Sequence, residues 1–207
     1  MILTRKLGPA TLVARGNAES LLTLSLTGGQ RQEVRNGVAG AWTGPDGTAQ
    51  PMATHNCWFD ANWFFPALTL QALQGDPTLG VVYLGAAAWN GLATLHLQFF
   101  RLVPGQTPVM TAEIQGLSTV DLFVDAKSLL PLALDFNLHP DNDLNVNIPV
   151  EIQFGDYRAV SGVLVPFRIQ KYLQGTLTLD LLVSNATPNS GVQDSLFFIP
   201  PTAGGQS

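Results

Sequence analysis

Between Leu144 and Phe198 apolar and polar residues alternate with a period of two, a pattern that only an extended chain sorts onto two distinct faces. Leu144, Val146, Ile148, Val150, Ile152 and Phe154 fall on one side of such a chain, with Asn145, Asn147, Glu151 and Gln153 on the other. A helix would scatter both sets around its circumference. Val163, Val165, Phe167 and Ile169 repeat the pattern after Gly162, and Leu177, Leu179, Leu181 and Val183 repeat it after the turn signal Gln174-Gly175. Three successive strands joined by tight turns predict an antiparallel sheet with one apolar face.

The text upstream has the same rhythm. Strands are expected at about Ala10 to Arg15, Leu21 to Thr27, Gln30 to Arg35 and Val38 to Trp42, separated by Gly16-Asn17, Gly28-Gly29 and Asn36-Gly37. Asn36-Gly37 is expected to turn a two-residue hairpin with positive φ at both positions. Further strands are expected at Gly80 to Leu84, Ala93 to Arg101, Val120 to Asp125 and Leu132 to Leu138, the last with Leu132, Leu134, Phe136 and Leu138 facing one way. No linker, charge run or low-complexity tract interrupts the 207 residues, so one domain is expected over residues 1–201, with residues 202–207 as a frayed tail.

One segment breaks the β rhythm. From Trp58 to Leu73 the chain reads WFDANWFFPALTLQAL, with Asp60 placed as a helix cap, Pro66 inside and Gly75-Asp76-Pro77 as a stop. Its apolar residues, among them Trp63, Phe64, Phe65 and Leu68, cover nearly the whole circumference, which implies burial on several sides. The expected architecture is therefore mainly β with minor α: a single antiparallel sheet curved into an unclosed β-barrel around an apolar helix. A second short helix is expected around Val109 to Leu117, where Met110, Ile114 and Leu117 recur at helical spacing.

Composition narrows the function classes. Only 12% of residues are charged and 46% are hydrophobic, so the fold encloses a large apolar volume. A net charge of -5 with ten scattered Lys and Arg leaves no basic footprint, and no nucleic acid partner is expected. The uncharged stretch from Pro77 to Phe100 is long enough to test as a membrane span, but Gly80, Gly85, Asn90, Gly91, His96 and Gln98 interrupt it, and it alternates like a strand. The chain is expected not to span a membrane. Its first residues lack the long apolar core of a secretory signal, so it is read as cytoplasmic or as lacking its export segment. Cys57 is the only cysteine, which excludes an intramolecular disulfide.

Catalytic and metal-binding constellations are incomplete. His55 stands two residues from Cys57, but no oxyanion-hole loop accompanies them. His139-Pro-Asp141-Asn-Asp143-Leu-Asn145 alternates oxygen ligands as calcium loops do, yet it lacks the central glycine, and Ile152 stands where the bidentate Glu belongs. Asp121 and Asp125 share the polar side of one expected strand, where they are read as meeting water. No glycine-rich loop sits between a strand and a helix, so no nucleotide cofactor is expected, nor any other cofactor or metal. Trp42, Trp58, Trp63 and Trp89 are read as packing residues rather than a stacking platform for bases or sugars.

The string from Phe154 to Tyr172, followed by Asn189-Ser-Gly-Val-Gln-Asp-Ser-Leu-Phe-Phe-Ile-Pro200, resembles the end of LolA-like outer-membrane lipoprotein-sorting proteins, which finish on strand pairs and a Phe-x-x-Pro close. Gln30-Arg31-Gln-Glu-Val-Arg-Asn-Gly37, leading to Trp42, is similar to the family's Arg-bearing strand and hairpin, with Arg31 at the arginine's place. The resemblance implies an unclosed barrel with an apolar cavity that shields acyl chains, in the periplasm or at the outer membrane. It implies a non-enzymatic envelope protein that binds a lipid, an acyl chain or a lipoprotein, with an envelope protein as a further partner. The lining expected from the apolar faces and the helix is Trp58, Trp63, Phe64, Phe65, Leu68, Leu122, Leu134, Phe136, Ile148, Val150, Ile152 and Leu179. The alternatives are a scaffold domain whose core is full and, more remotely, a hydrolase using His55 or His139.

Overall fold

The computed structural model describes residues 7–16, 19–57, 65, 67 and 76–200. It divides into two compact units, Met1–Phe64 with Gly191–Ser207, and Phe65–Ser190.

The first unit is a five-stranded antiparallel meander of β1 (Ala10–Arg15), β2 (Glu19–Leu26), β3 (Gly29–Asn36), β4 (Ala39–Thr43) and β5 (Ala49–Pro51), in chain order. Pairing of Asn36 with Ala39 leaves Gly37-Val38 as the two-residue loop between β3 and β4. Only Gly37 has positive φ, so the turn carries its glycine first rather than the Asn-Gly pair expected with both φ positive. A helical turn, α1 (Thr54–Cys57), follows β5 and packs on β4. Gly40 permits that approach, because a Cβ there would lie 2.9 Å from Met52 Sδ and 3.0 Å from Cys57 Sγ. The sequence did not announce the 3₁₀ turn Asp194–Phe197, which packs on β2 and β3 and fully buries Phe197. Arg15 pins it: the guanidinium donates to Asp194 Oδ1 at 2.6 Å and lies 5.2 Å from the centroid of the Phe197 ring.

The second unit is a seven-stranded antiparallel sheet ordered β12-β11-β10-β9-β8-β7-β6. Its strands are β6 (Leu79–Trp89), β7 (Leu92–Arg101), β8 (Val120–Asp125), β9 (Pro131–Leu138), β10 (Ile148–Val160), β11 (Val163–Leu173) and β12 (Thr176–Leu182). Three of its hairpins turn on two residues, Asn90-Gly91, Ser161-Gly162 and Gln174-Gly175, each with positive φ at both positions, as the twist of the flanking strands demands. The helix α2 (Pro108–Ser118) connects β7 to β8. Thr107 caps it by accepting from the Met110 amide, and Pro108 occupies the first turn, where a missing N–H costs nothing. Ile114 and Leu117 are buried as their spacing predicts, while Met110 is exposed.

Three expectations require correction. Two sheets stand where a single curved one was expected, because after β5 the described chain opens a new ladder at β6 instead of adding to the first. The strand expected from Leu144 begins at Ile148: Asp143 Oδ1 accepts from the Asn145 amide and side chain, and this local turn withholds Leu144 and Val146 from the ladder. Trp42 is half exposed rather than packed away. The helix expected over Trp58 to Leu73, with Trp58, Trp63, Phe64 and Leu68, lies outside the described residues; of its lining residues Phe65 is described and half-buried.

Candidate functional site

Register turns the alternation of single strands into continuous rows across the seven-stranded sheet. One row runs Tyr83, Leu97, Leu122, Leu134, Ile152, Lys171, Leu179. The next on the same face runs Val81, Phe99, Val120, Phe136, Val150, Leu173, Thr176. Leu122, Leu134, Phe136, Val150 and Ile152 are therefore brought together on one apolar face, and all are buried. Burial fades outward: Leu122 and Ile152 are fully buried, whereas Leu179 is half-buried and Tyr83, on the edge strand, is 58% exposed. Ile148, opposite Leu138, is also half-buried and marks the end of the face. Lys171 is the one charged residue in the two rows.

The other face of the same sheet is polar. Its main row runs Val82, Gln98, Asp121, Asp135, Glu151, Tyr172, Leu177, so three carboxylates stand directly opposite one another on β8, β9 and β10. Asp121 Oδ1 is 2.8 Å from His96 Nε2 and accepts from Gln98 Nε2 at 3.0 Å. His96 in turn stacks on Phe123, with ring centroids 4.6 Å apart. Glu151 accepts from Gln153 Nε2. Asp135 Oδ1, between them, is buried and has no hydrogen-bond partner among the described residues. Burial first, then the charges of Glu151 and Asp121, push its carboxyl up to about 6, against a smaller opposing pull from His96. A concavity of about 450 Å³ opens beside the row, lined by Asp121, Asp135, Asn137, Glu151 and Tyr172 among others.

Of this row's carboxylates the sequence singles out only Asp121 as a candidate; it bonds His96 and stands opposite Asp135 while its side chain stays 29% exposed. The signal was present only in part: Asp121, Asp135 and Glu151 each sit at a polar phase of their strands, but nothing in one strand's sequence says which residues of its neighbours lie opposite. Asp125 has a separate task, accepting from the amides of Lys127 and Ser128 and from the Ser128 hydroxyl in the turn after β8.

The other candidates are positioned by ordinary packing. Cys57 is fully buried beside Gly40, and His55 is half-buried on the same helical turn. His139 is buried with Nδ1 3.2 Å from the Val146 carbonyl, which ties the loop to the end of β9. Among the described residues no group of three His, Cys, Asp or Glu is placed to hold a metal ion. On β3 the exposed arginine is Arg31, whereas Arg35 is buried, donating to Glu33 at 2.7 Å and approaching Met52 Sδ at 3.4 Å. No helix among the described residues is long and apolar enough to cross a membrane.

No protein-family model matches the sequence, and no curated protein aligns with it. A solved structure shares its fold. A domain from Vibrio parahaemolyticus, described as an outer membrane lipoprotein-sorting protein domain, superposes with a TM-score of 0.52 at 12% identity, over 93% of this chain and 81% of that one. A LolA superfamily protein from Nitrosomonas europaea matches with a TM-score of 0.48 at 12% identity, over 94% of this chain and 86% of that one. A DUF1329 family protein from Desulfovibrio piger gives 0.43 at 10% identity, over 91% of this chain and 79% of that one. The chain has a LolA-like fold.

Proposed function

We propose that this protein is a non-enzymatic envelope protein, in the periplasm or at the outer membrane, that binds a lipid, an acyl chain or the acyl portion of a lipoprotein. The observation that carries the reading is the pair of apolar rows on the seven-stranded sheet, contiguous from Leu97 and Phe99 on β7 to Val150 and Ile152 on β10. The LolA-like fold supports it. In this reading Leu122, Leu134, Phe136, Val150 and Ile152 form the floor of the ligand site, and Ile148 and Leu179 its margin. Trp58, Trp63, Phe64, Phe65 and Leu68 are further lining candidates on the strength of the sequence alone. Each buried methylene contributes about 0.8 kcal/mol, so a long acyl chain reaches micromolar affinity even after the cost of association. No cofactor takes part.

Full burial of Leu122 and Ile152 favours a second reading, in which the same face is already filled and the protein is a scaffold in an envelope assembly. Organic extraction of the purified protein followed by lipid mass spectrometry separates the two. Co-purified lipid is expected, as is a saturable change in tryptophan emission when delipidated protein is titrated with fatty acids or lysolipids below micelle formation. Phe64→Asp is expected to abolish that change while the β circular-dichroism signal persists. An extract free of lipid together with flat emission leaves the filled scaffold.

A further inference from the structure

The carboxylate row on the polar face contradicts the ordinary rule of sheet stabilisation, in which like charges directly opposite one another repel. Asp135 pairs with Asp121 on one side and Glu151 on the other, so it belongs to two such contacts at once. The flanking carboxylates are compensated: Asp121 by His96 and Gln98, Glu151 by Gln153. The middle one has a buried oxygen with no partner among the described residues. A single proton on Asp135 would relieve both repulsions and convert the middle carboxyl from an acceptor into a donor toward a neighbouring carboxylate.

We propose that the Asp121–Asp135–Glu151 row is a proton-operated clasp across β8, β9 and β10, closed when Asp135 is protonated and strained when it is ionised. The groups facing Asp135 define the field. They are Asp121 on β8, Glu151 on β10, His96 on β7 acting through Asp121, and Tyr172 on β11 at the next place in the row. On α2, which packs on β7 and β9, the one ionisable side chain is the exposed Glu113. Lys171 is in phase with the apolar rows. No cation therefore stands opposite Asp135 in its row.

The sign follows from the direction of the shift. The folded-state carboxyl lies at about 6, above its ordinary value of 3.8, so the fold binds this proton more tightly than the unfolded chain does. Stability from this group is complete below pH 3.8, diminishes as pH rises through about 6 and is absent well above it. Mild acidification thus tightens the sheet, the reverse of the loss expected from carboxylates held in ion pairs.

The clasp is tested by thermal unfolding of the intact protein between pH 7.5 and 5.5. Wild type is expected to gain a few degrees in Tm on acidification. Asp135→Asn, a neutral isostere, is expected to melt about 2–4 °C above wild type at pH 7.5 and to lose that advantage at pH 5.5. To separate the effect from that of the neighbouring imidazole, the comparison is repeated in a His96→Gln background, where the Asp135→Asn effect is expected to survive. Carbon-13 NMR of the Asp135 carboxyl in wild type reads the proton directly, with a midpoint expected near 6 and requiring no variant to fold. A midpoint at or below 4, or an Asp135→Asn variant whose pH slope equals that of wild type, overturns the proposal.

Discussion

The two faces of the seven-stranded sheet use the same strands and the same register, yet they solve opposite problems. On the apolar face any residue of roughly the right size fits any neighbour, so adjacent rows reinforce one another without regard to which strand supplies which side chain. On the polar face identity matters at each crossing, because a carboxylate opposite a glutamine is satisfied and a carboxylate opposite a carboxylate is not. A hydrophobic row tolerates approximate placement. An ionic row is decided by the pairing itself, which is why the proposed clasp centres on one residue, Asp135.

Substitutions on each face test this difference. The largest effect is expected from Ile152→Ala, which removes a fully buried side chain at the centre of the apolar face and should cost about 2–5 kcal/mol in urea unfolding. Leu179→Ala, in the same row but half-buried on the edge strand, should cost about 1–2 kcal/mol. Equal losses at both sites would show that the face is not graded from centre to margin. On the polar face, Glu151→Gln should lower the Asp135 titration midpoint more than Asp121→Asn does, because the charge of Glu151 is the stronger of the two that raise it. Carbon-13 titration checks this, and the reverse order would place the dominant repulsion on the wrong strand pair. The smallest effect is expected at Arg168 and Asp180, an exposed cross-strand pair at 3.1 Å. Asp180→Ala should leave Tm unchanged within error, since solvent and salt screen such pairs. Chelation is likewise expected to leave Tm unchanged.

Much of the architecture was legible in the chain. Strands β1, β8 and β11 occupy the residues at which alternation places them, and the Gln174-Gly175 signal marks the two-residue turn between β11 and β12. These features depend on neighbours along the chain, where local sterics and side-chain period act directly. The failures are of another kind. Leu144 and Val146 carry the right alternation but lose to a side-chain turn at Asp143, and β6 runs on to Trp89 through Gly85, whose φ of 110° absorbs a register shift that no periodicity signals. Phe197, which no periodicity singles out, is fully buried in the 3₁₀ turn Asp194–Phe197.

Sequence alone decided where most strands form, which face of each is apolar and that the chain is mainly β, because period and turn chemistry act between residues a few positions apart. Tertiary structure alone decided that the strands divide between two sheets and that Asp121, Asp135 and Glu151 meet in one line. These last depend on strand register across many intervening residues. A shift of one position in either of the two ladders that join β8, β9 and β10 would exchange the faces and disperse the carboxylates.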